Sequence, residues 1–417
     1  MSQARQGHNV PPAYDVERVR RDFPALSVEV YGKPLVFFDS GASAQKPRQV
    51  IDTMRQVLEE EYANVHRGVH YLSQRATQRY DAVRGTVARF MNAGREEEIV
   101  FTHSCTEAIN LVAQCFARPF FKAGDEVIVS CMEHHANIVP WQLLRDQIGI
   151  VLKVVPMDDD GNFQLDAFEA LLGERTRLVS VAHVSNVLGT VLPVRDIIRL
   201  AHARSIPVLL DGAQGITHMP VDVQALDCDF YVFAPHKLYG PNGVGVLYGK
   251  YEHLERMPPY QGGGDMIASV SFEKTRYQKP PLRFEAGTPP IVETIALGAA
   301  IDYVDALGME NIARHEHDLL AYAHERLARV SGFTMYGRAR EKSGIVSFTL
   351  DGVHAHDVGT IIDRAGVAVR VGHHCAQPLM DRLGVTATAR ATFGLYNTKA
   401  EVDVMAEPLE QVMEIFG

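Results

Sequence analysis

Short, unbroken apolar runs alternate along this chain with longer stretches whose apolar residues recur every three or four positions. EEIVFT (97–102) precedes CTEAINLVAQCFA, in which Ala108, Ile109, Leu111, Val112 and Cys115 fall at helical spacing. The runs DEVIVS (125–130), IVLKVVPM (150–157), RLVSVAHVS (177–185), IPVLLDGAQ (206–214) and DFYVFAP (229–235) follow. Helical stretches such as VRDIIRLAHARS (194–205) separate them. Several of the runs are apolar throughout, as strands buried on both faces should be. The alternation predicts an α/β domain built on a mostly parallel sheet.

After RFEAGTPP (283–290) the texture changes. The spacing predicts a long helix from Val292 to Val330, a strand at GIVSFTL (344–350) and a helix near His356–Ala365. VAVRVG (367–372), ATFGLYN (391–397) and a last helix from Lys399 complete what reads as a smaller α+β unit. The expected division has an N-terminal segment, 1–35, packing with the small unit. A large domain spans 36–290 and a small C-terminal domain 291–417. No internal repeat or low-complexity tract interrupts this order.

Composition narrows the class. A chain of 417 residues is too long for one simple core, which agrees with two domains. Its 46% hydrophobic and 22% charged residues are those of a soluble globular protein. A net charge of -10 implies no basic face, so no nucleic-acid partner is expected. No apolar run approaches the roughly 18 residues of a membrane span. The opening MSQARQGHNVPPAYD has no apolar core of a secretory signal. The five cysteines, Cys105, Cys115, Cys131, Cys228 and Cys375, are scattered without a C-x-x-C pair. A chain of this size needs no disulfide staples, so a cytoplasmic, reducing home is expected.

Ligand sites in open α/β sheets lie at the carboxyl ends of the strands. The polar residues after each apolar run are Thr106, His134, Asn186, Asp211 with Gln214, and His236 with Lys237. A lysine directly after a buried strand sits where desolvation lowers its pKa enough for Schiff-base chemistry, although a lone loop lysine is ordinarily a surface residue. Asp211 ends an apolar run, so it is expected to be partly buried and to need a cationic partner. A carboxylate facing a pyridinium nitrogen is what a pyridoxal phosphate site requires. Gln214 could then reach the ring hydroxyl and His134 the ring face. THSCTEAIN (102–110) opens a helix with small and hydroxylated residues, which suits a phosphate or a simple cap at Ser104 or Thr106. The glycines of GPNGVG (240–245) precede an apolar run instead of opening a helix, so a dinucleotide loop is a poor reading.

VGHHCAQP (371–378) sets Cys375 behind two histidines and a glycine. A free cysteine is usually a small buried hydrophobe, and Cys115 and Cys228 read that way. Around Cys375 the neighbours Arg370, His373 and His374 are polar, and positive neighbours raise a cysteine's thiolate fraction. Metal readings are weaker. His66 and His70 in HRGVH lack the adjacent glutamate of the metalloprotease helix, and consecutive residues such as 373–375 or EHH (133–135) rarely converge on one ion.

Eight ordered blocks now stand out: FFDSGASAQKP, VHRGVHYLSQRAT, MEHHANIVPWQ, HVSNVLGT, DGAQ, HKLYGPNGVGVLYG, RFEAGTP and RVGHHCA. Together they resemble the SUF-type (group II) cysteine desulfurases, pyridoxal 5'-phosphate (PLP) enzymes of the class V aminotransferases. The resemblance implies the type I PLP-dependent transferase fold, with a mostly parallel seven-stranded sheet in the large domain and a smaller α+β domain carrying the cysteine loop. It implies that Lys237 tethers the cofactor, that Asp211 pairs with the pyridinium, that Gln214 contacts the ring oxygen and that His134 stacks on the ring. Thr106, the backbone near Cys105, and His236 would hold the phosphate, with Thr288 reaching the neighbouring subunit's site in a homodimer. Arg390 and Asn186 would hold the carboxylate of L-cysteine, and Cys375 would accept its sulfur. A SufE- or SufU-type acceptor and iron–sulfur cluster assembly would follow. Ala234 stands where the family usually supplies a hydroxyl to the phosphate, Pro235 precedes HK in place of a small flexible residue, and Val371 replaces a common threonine. Selenocysteine lyase, on the same scaffold, and a non-catalytic sulfur-relay subunit are the rival readings.

Overall fold

A computed structural model describes residues 14–416, so residues 1–13 of the expected N-terminal segment lie outside the described part. The apolar runs assemble into a seven-stranded sheet. Its strands lie in the order Ile99–Thr102, Gly245–Gly249, Phe230–Phe233, Val208–Asp211, Thr176–Ala182, Glu126–Ser130, Val151–Val155. Pairings are parallel except around Gly245–Gly249, which runs antiparallel to both neighbours.

The unbroken apolar runs have a simple cause. Side chains alternate across a strand, and here both faces are covered. Val127, Val129, Leu209, Phe230 and Val232 enter one apolar cluster, while Ile128, Val208, Leu210, Tyr231 and Phe233 enter another on the opposite face. Full burial of each such side chain contributes about 1.5–3 kcal/mol, so polar residues are driven to the strand ends. Val151–Val155 departs from the pattern: it is the edge strand, and Val151 and Val154 are exposed.

A second, antiparallel sheet orders Phe333–Tyr336, Ile345–Leu350, Thr388–Thr392 and Arg370–Gly372. Val346, Phe348, Leu319, Val358, Val402 and Leu409 join its strands and helices in a separate core. Val36–Phe37 pairs in parallel with Val367–Ala368, and Arg20 donates to the Tyr396 carbonyl oxygen at 2.7 Å. The long helix expected from Val292 to Val330 is two, Ile291–Leu307 and Met309–Leu327. Gly308 between them sits at φ 81°, a left-handed turn that ends a helix at little cost for glycine alone. The first of the two packs against Arg48–Gln56 and Tyr71–Phe90, beside the larger sheet's core.

Candidate active site

At the carboxyl ends of the parallel strands lies a cavity of about 330 Å³. Asp211, the last residue of its strand, is buried at its wall. Its Oδ1 accepts from the Ala213 amide at 3.0 Å and from the Cys105 thiol at 3.7 Å. Gln214 donates through Nε2 to the Gly41 carbonyl oxygen at 2.8 Å, leaving a buried Oε1 without a partner among the described residues. Lys237 follows the strand Phe230–Phe233 and is half-buried on the same wall. Burial holds its amine below the ordinary lysine pKa, with the Asp211 carboxylate opposing. Burial, followed by the charge of Lys237, pushes both His134 and His236 down to about 4. His134 Nδ1 accepts from the Ala136 amide at 3.1 Å, so its proton sits on Nε2.

The helix Cys105–Leu111 starts at this cavity. Ser104 is its cap, accepting from the Glu107 amide at 3.1 Å; Thr106 is exposed and lines the cavity. Of the two caps that THSCTEAIN offered, Ser104 is the one used, and the same helix start faces the cavity. Gly245 is needed here because a Cβ would run into the Ser104 backbone where the antiparallel strand passes beneath the turn.

The facing wall comes from the smaller sheet. Arg390, in the middle of Thr388–Thr392, is buried and donates to the Asn186 carbonyl oxygen at 2.7 Å. Its Nε has no partner among the described residues, and burial lowers its pKa to about 10. Asn186 donates through Nδ2 to the His374 carbonyl oxygen at 2.8 Å, leaving a buried Oδ1 unpartnered among the described residues. His374 and Cys375 adopt φ 53° and 54°, left-handed backbone that non-glycine residues seldom hold. Strain of this kind persists where surroundings over-determine it. Cys375 is exposed and lines the cavity, whereas Cys105, Cys115 and Cys228 are buried and Cys131 is half-buried. Burial pushes the Cys115 thiol up to about 12.

Cys105, Thr106, His134, Asn186, Asp211, Gln214, His236, Lys237, Arg390 and Cys375 thus share one cavity. Thr288 does not; it is exposed on the loop that follows Leu282–Phe284. Residue-by-residue reading assigned no role to Asp39, Gly41, Ala42 or Lys46. Gly41 and Ala42 line the cavity, Asp39 pairs with Arg370 at 2.7 Å, and Lys46 donates to the His236 carbonyl oxygen at 2.9 Å. Their only signal was the block FFDSGASAQKP. The two histidines of HRGVH go separate ways: His66 pairs with Asp81 at 3.4 Å, and His70 caps Tyr71–Phe90.

The chain matches the aminotransferase class-V family over residues 36–405 and belongs to that family. It is 52% identical to a cysteine desulfurase of Dickeya dadantii over 97% of this chain and 98% of that protein. Among solved structures it superposes on the cysteine desulfurase CsdA of Escherichia coli with a TM-score of 0.90, at 40% identity, covering 97% of this chain and 100% of that one. A cysteine desulfurase of Thermococcus onnurineus gives a TM-score of 0.91 at 39% identity, covering 95% and 98% respectively. Within the family, the chain therefore stands with the cysteine desulfurases.

Burial of neutral histidines carries a pH consequence. His134, His183, His236 and His324 are pushed down to about 4 and His374 to about 3, burial being the leading cause in each. Unfolding restores values near 6.5, so between about 6.5 and 4 the unfolded chain binds more protons than the folded one. The stability these groups contribute is complete above that window and declines as pH falls through it. Melting temperatures of the cofactor-free protein are expected to drop steadily from pH 7 to pH 4; a flat profile would contradict neutral burial.

Proposed function

We propose that the chain is a PLP-dependent cysteine desulfurase that converts L-cysteine to L-alanine and keeps the sulfur as a persulfide on Cys375. One observation carries this reading: an exposed thiol and a half-buried amine, from different sheets, line the same cavity. The residues present suit the cofactor. Gln214 Oε1, Asn186 Oδ1 and Arg390 Nε are buried without partners among the described residues, an arrangement that is costly unless a polar ligand completes it. Lys237 would tether the cofactor, Asp211 would face its ring nitrogen, and Ser104–Thr106 with His236 would take its phosphate. When bound, PLP supplies an electron sink that weakens the bonds at the substrate's α- and β-carbons.

Each residue then has a task. Arg390 and Asn186 hold the substrate carboxylate. Lys237, its amine held below the ordinary lysine pKa by burial, moves the α-proton, and neutral His134 can take up or return a proton at its ring nitrogen. The Cys375 thiolate attacks the substrate sulfur as the carbon–sulfur bond breaks. That bond's electron pair stays with the carbon, which is then protonated to give alanine. Substrate thiol and enzyme thiol become alanine and an enzyme persulfide, with no external oxidant required. Incubation with L-cysteine should yield alanine and a mass increase of one sulfur on Cys375 in equal amounts before turnover; alanine without that adduct would refute the assignment.

We further assign the sulfur to iron–sulfur cluster assembly through a SufE- or SufU-type acceptor, a reading supported by the exposure of Cys375. A homodimer is supported by apolar side chains left in water on two adjoining segments. Val69 is 91% exposed and Phe272 108%, with Tyr71 and Val270 beside them, and the Arg67–Asp265 pair at 2.9 Å ties the segments together. Thr288, outside this chain's own cavity, is free to serve the partner's. Five unpaired thiols support a cytoplasmic home.

Ala234 is buried in the cavity wall and offers no hydroxyl. Ala234→Ser should gain one phosphate hydrogen bond, worth about 1 kcal/mol, and tighten PLP roughly fivefold in titration. Equal affinities would refute the idea.

A further inference from the structure

The turn that presents Cys375 has a left-handed backbone and leads into a short helix, Gln377–Leu383, with no side-chain cap of its own. Its amides find their acceptors outside the helix. The Cys375 amide donates to His373 Nδ1 at 3.1 Å, and the Gln377 amide donates to Nε2 of His135 at 3.1 Å. His135 belongs to the other sheet, in the turn His135–Asn137 that follows Glu126–Ser130. Its own amide donates to the Cys375 carbonyl oxygen at 2.7 Å, and its ring lies 5.6 Å from that of His373. One residue thus holds the chain at two points just after the thiol, the Cys375 carbonyl and the Gln377 amide.

We propose that His135 is a positioning residue: it clamps the Cys375 turn against the cavity so that the thiol meets the substrate sulfur, without itself touching substrate or cofactor. The inference rests on the functional reading above and deepens it. The clamp requires Nε2 to accept, so the ring must be neutral with its proton on Nδ1. Burial, helped by the facing His373, keeps the His135 pKa below the ordinary value, in the direction the clamp needs. Loss of a well-placed acceptor frees the Gln377 amide and lets a strained turn relax, which lowers the fraction of molecules with the thiol in reach.

The test uses the PLP-loaded full chain. Glutamine places a carbonyl oxygen close to where Nε2 sits, and asparagine places one nearer Nδ1. His135→Ala and His135→Asn should therefore raise hydrogen exchange at 375–377 and slow persulfide formation about fivefold at saturating L-cysteine. KM and PLP affinity should stay near wild type. His135→Gln should recover most of both losses. Wild-type exchange and rate in His135→Ala, equal behaviour of Gln and Asn, or a loss confined to KM would each overturn the clamp. If the alanine variant does not fold, the Gln–Asn comparison decides. A wild-type protein that forms no persulfide would sink the functional reading instead, and the exchange data would still judge the clamp.

Discussion

Cys375→Ala should abolish sulfur transfer from L-cysteine, lowering the rate roughly 10³-fold or more, as removal of a nucleophile does when the rest of a site cannot replace it. The change should cost almost nothing in stability. Cys375 is exposed, so truncation leaves no cavity in a core, and its thiol makes no hydrogen bond among the described residues. Cofactor binding should be unchanged because Lys237, Asp211 and Gln214 hang on the other sheet. Selenium release from L-selenocysteine should survive, since selenium can leave without a protein thiol. A variant that still converts L-cysteine at the wild-type rate would remove Cys375 from the mechanism; one that loses PLP as well would point to collapse of the site.

The second large effect is expected at Lys237. Lys237→Ala should eliminate the absorbance of lysine-tethered cofactor and cut turnover roughly 10²–10⁴-fold through loss of the proton-transfer group. Stability should move the other way. Because burial depresses the lysine's pKa, its charged form is disfavoured in the folded state, and that penalty is present at neutral pH. The cofactor-free variant should therefore melt at or above the wild-type temperature. Partial restoration of turnover by small primary amines would identify the missing group as an amine. A variant that keeps both tethered absorbance and rate would exclude Lys237, and a sharp fall in melting temperature would mean that the amine is a structural element instead.

Much of this was legible along the chain. The period of the apolar residues gave the strands, since a strand covered on both faces must be apolar at every position, and the alternation of Val127 and Ile128 between two cores shows that cause directly. Lys237 and Asp211 were legible because they end such runs. Two features escaped. The run at 245–249 was seen, but not that it inserts antiparallel between two strands, because direction is set by the turn's path and by neighbours, not by side-chain period. The break at Gly308 was hidden because a helical pattern of apolar residues continues through it, and only the backbone angle reveals it.

Local sequence determined by itself most of the large sheet's strands, which residue types stand at their ends, and that a thiol sits in a polar turn. It could do so because propensity and periodicity act over a few residues. The convergence of Cys375 and Lys237 on one cavity, the grip of His135 on the turn, the arrival of Gly41 at the cavity and the pairing of Asp39 with Arg370 were decided only by tertiary structure. These contacts join positions up to hundreds of residues apart and form only when distant elements pack around one cavity, which no short window of sequence can express.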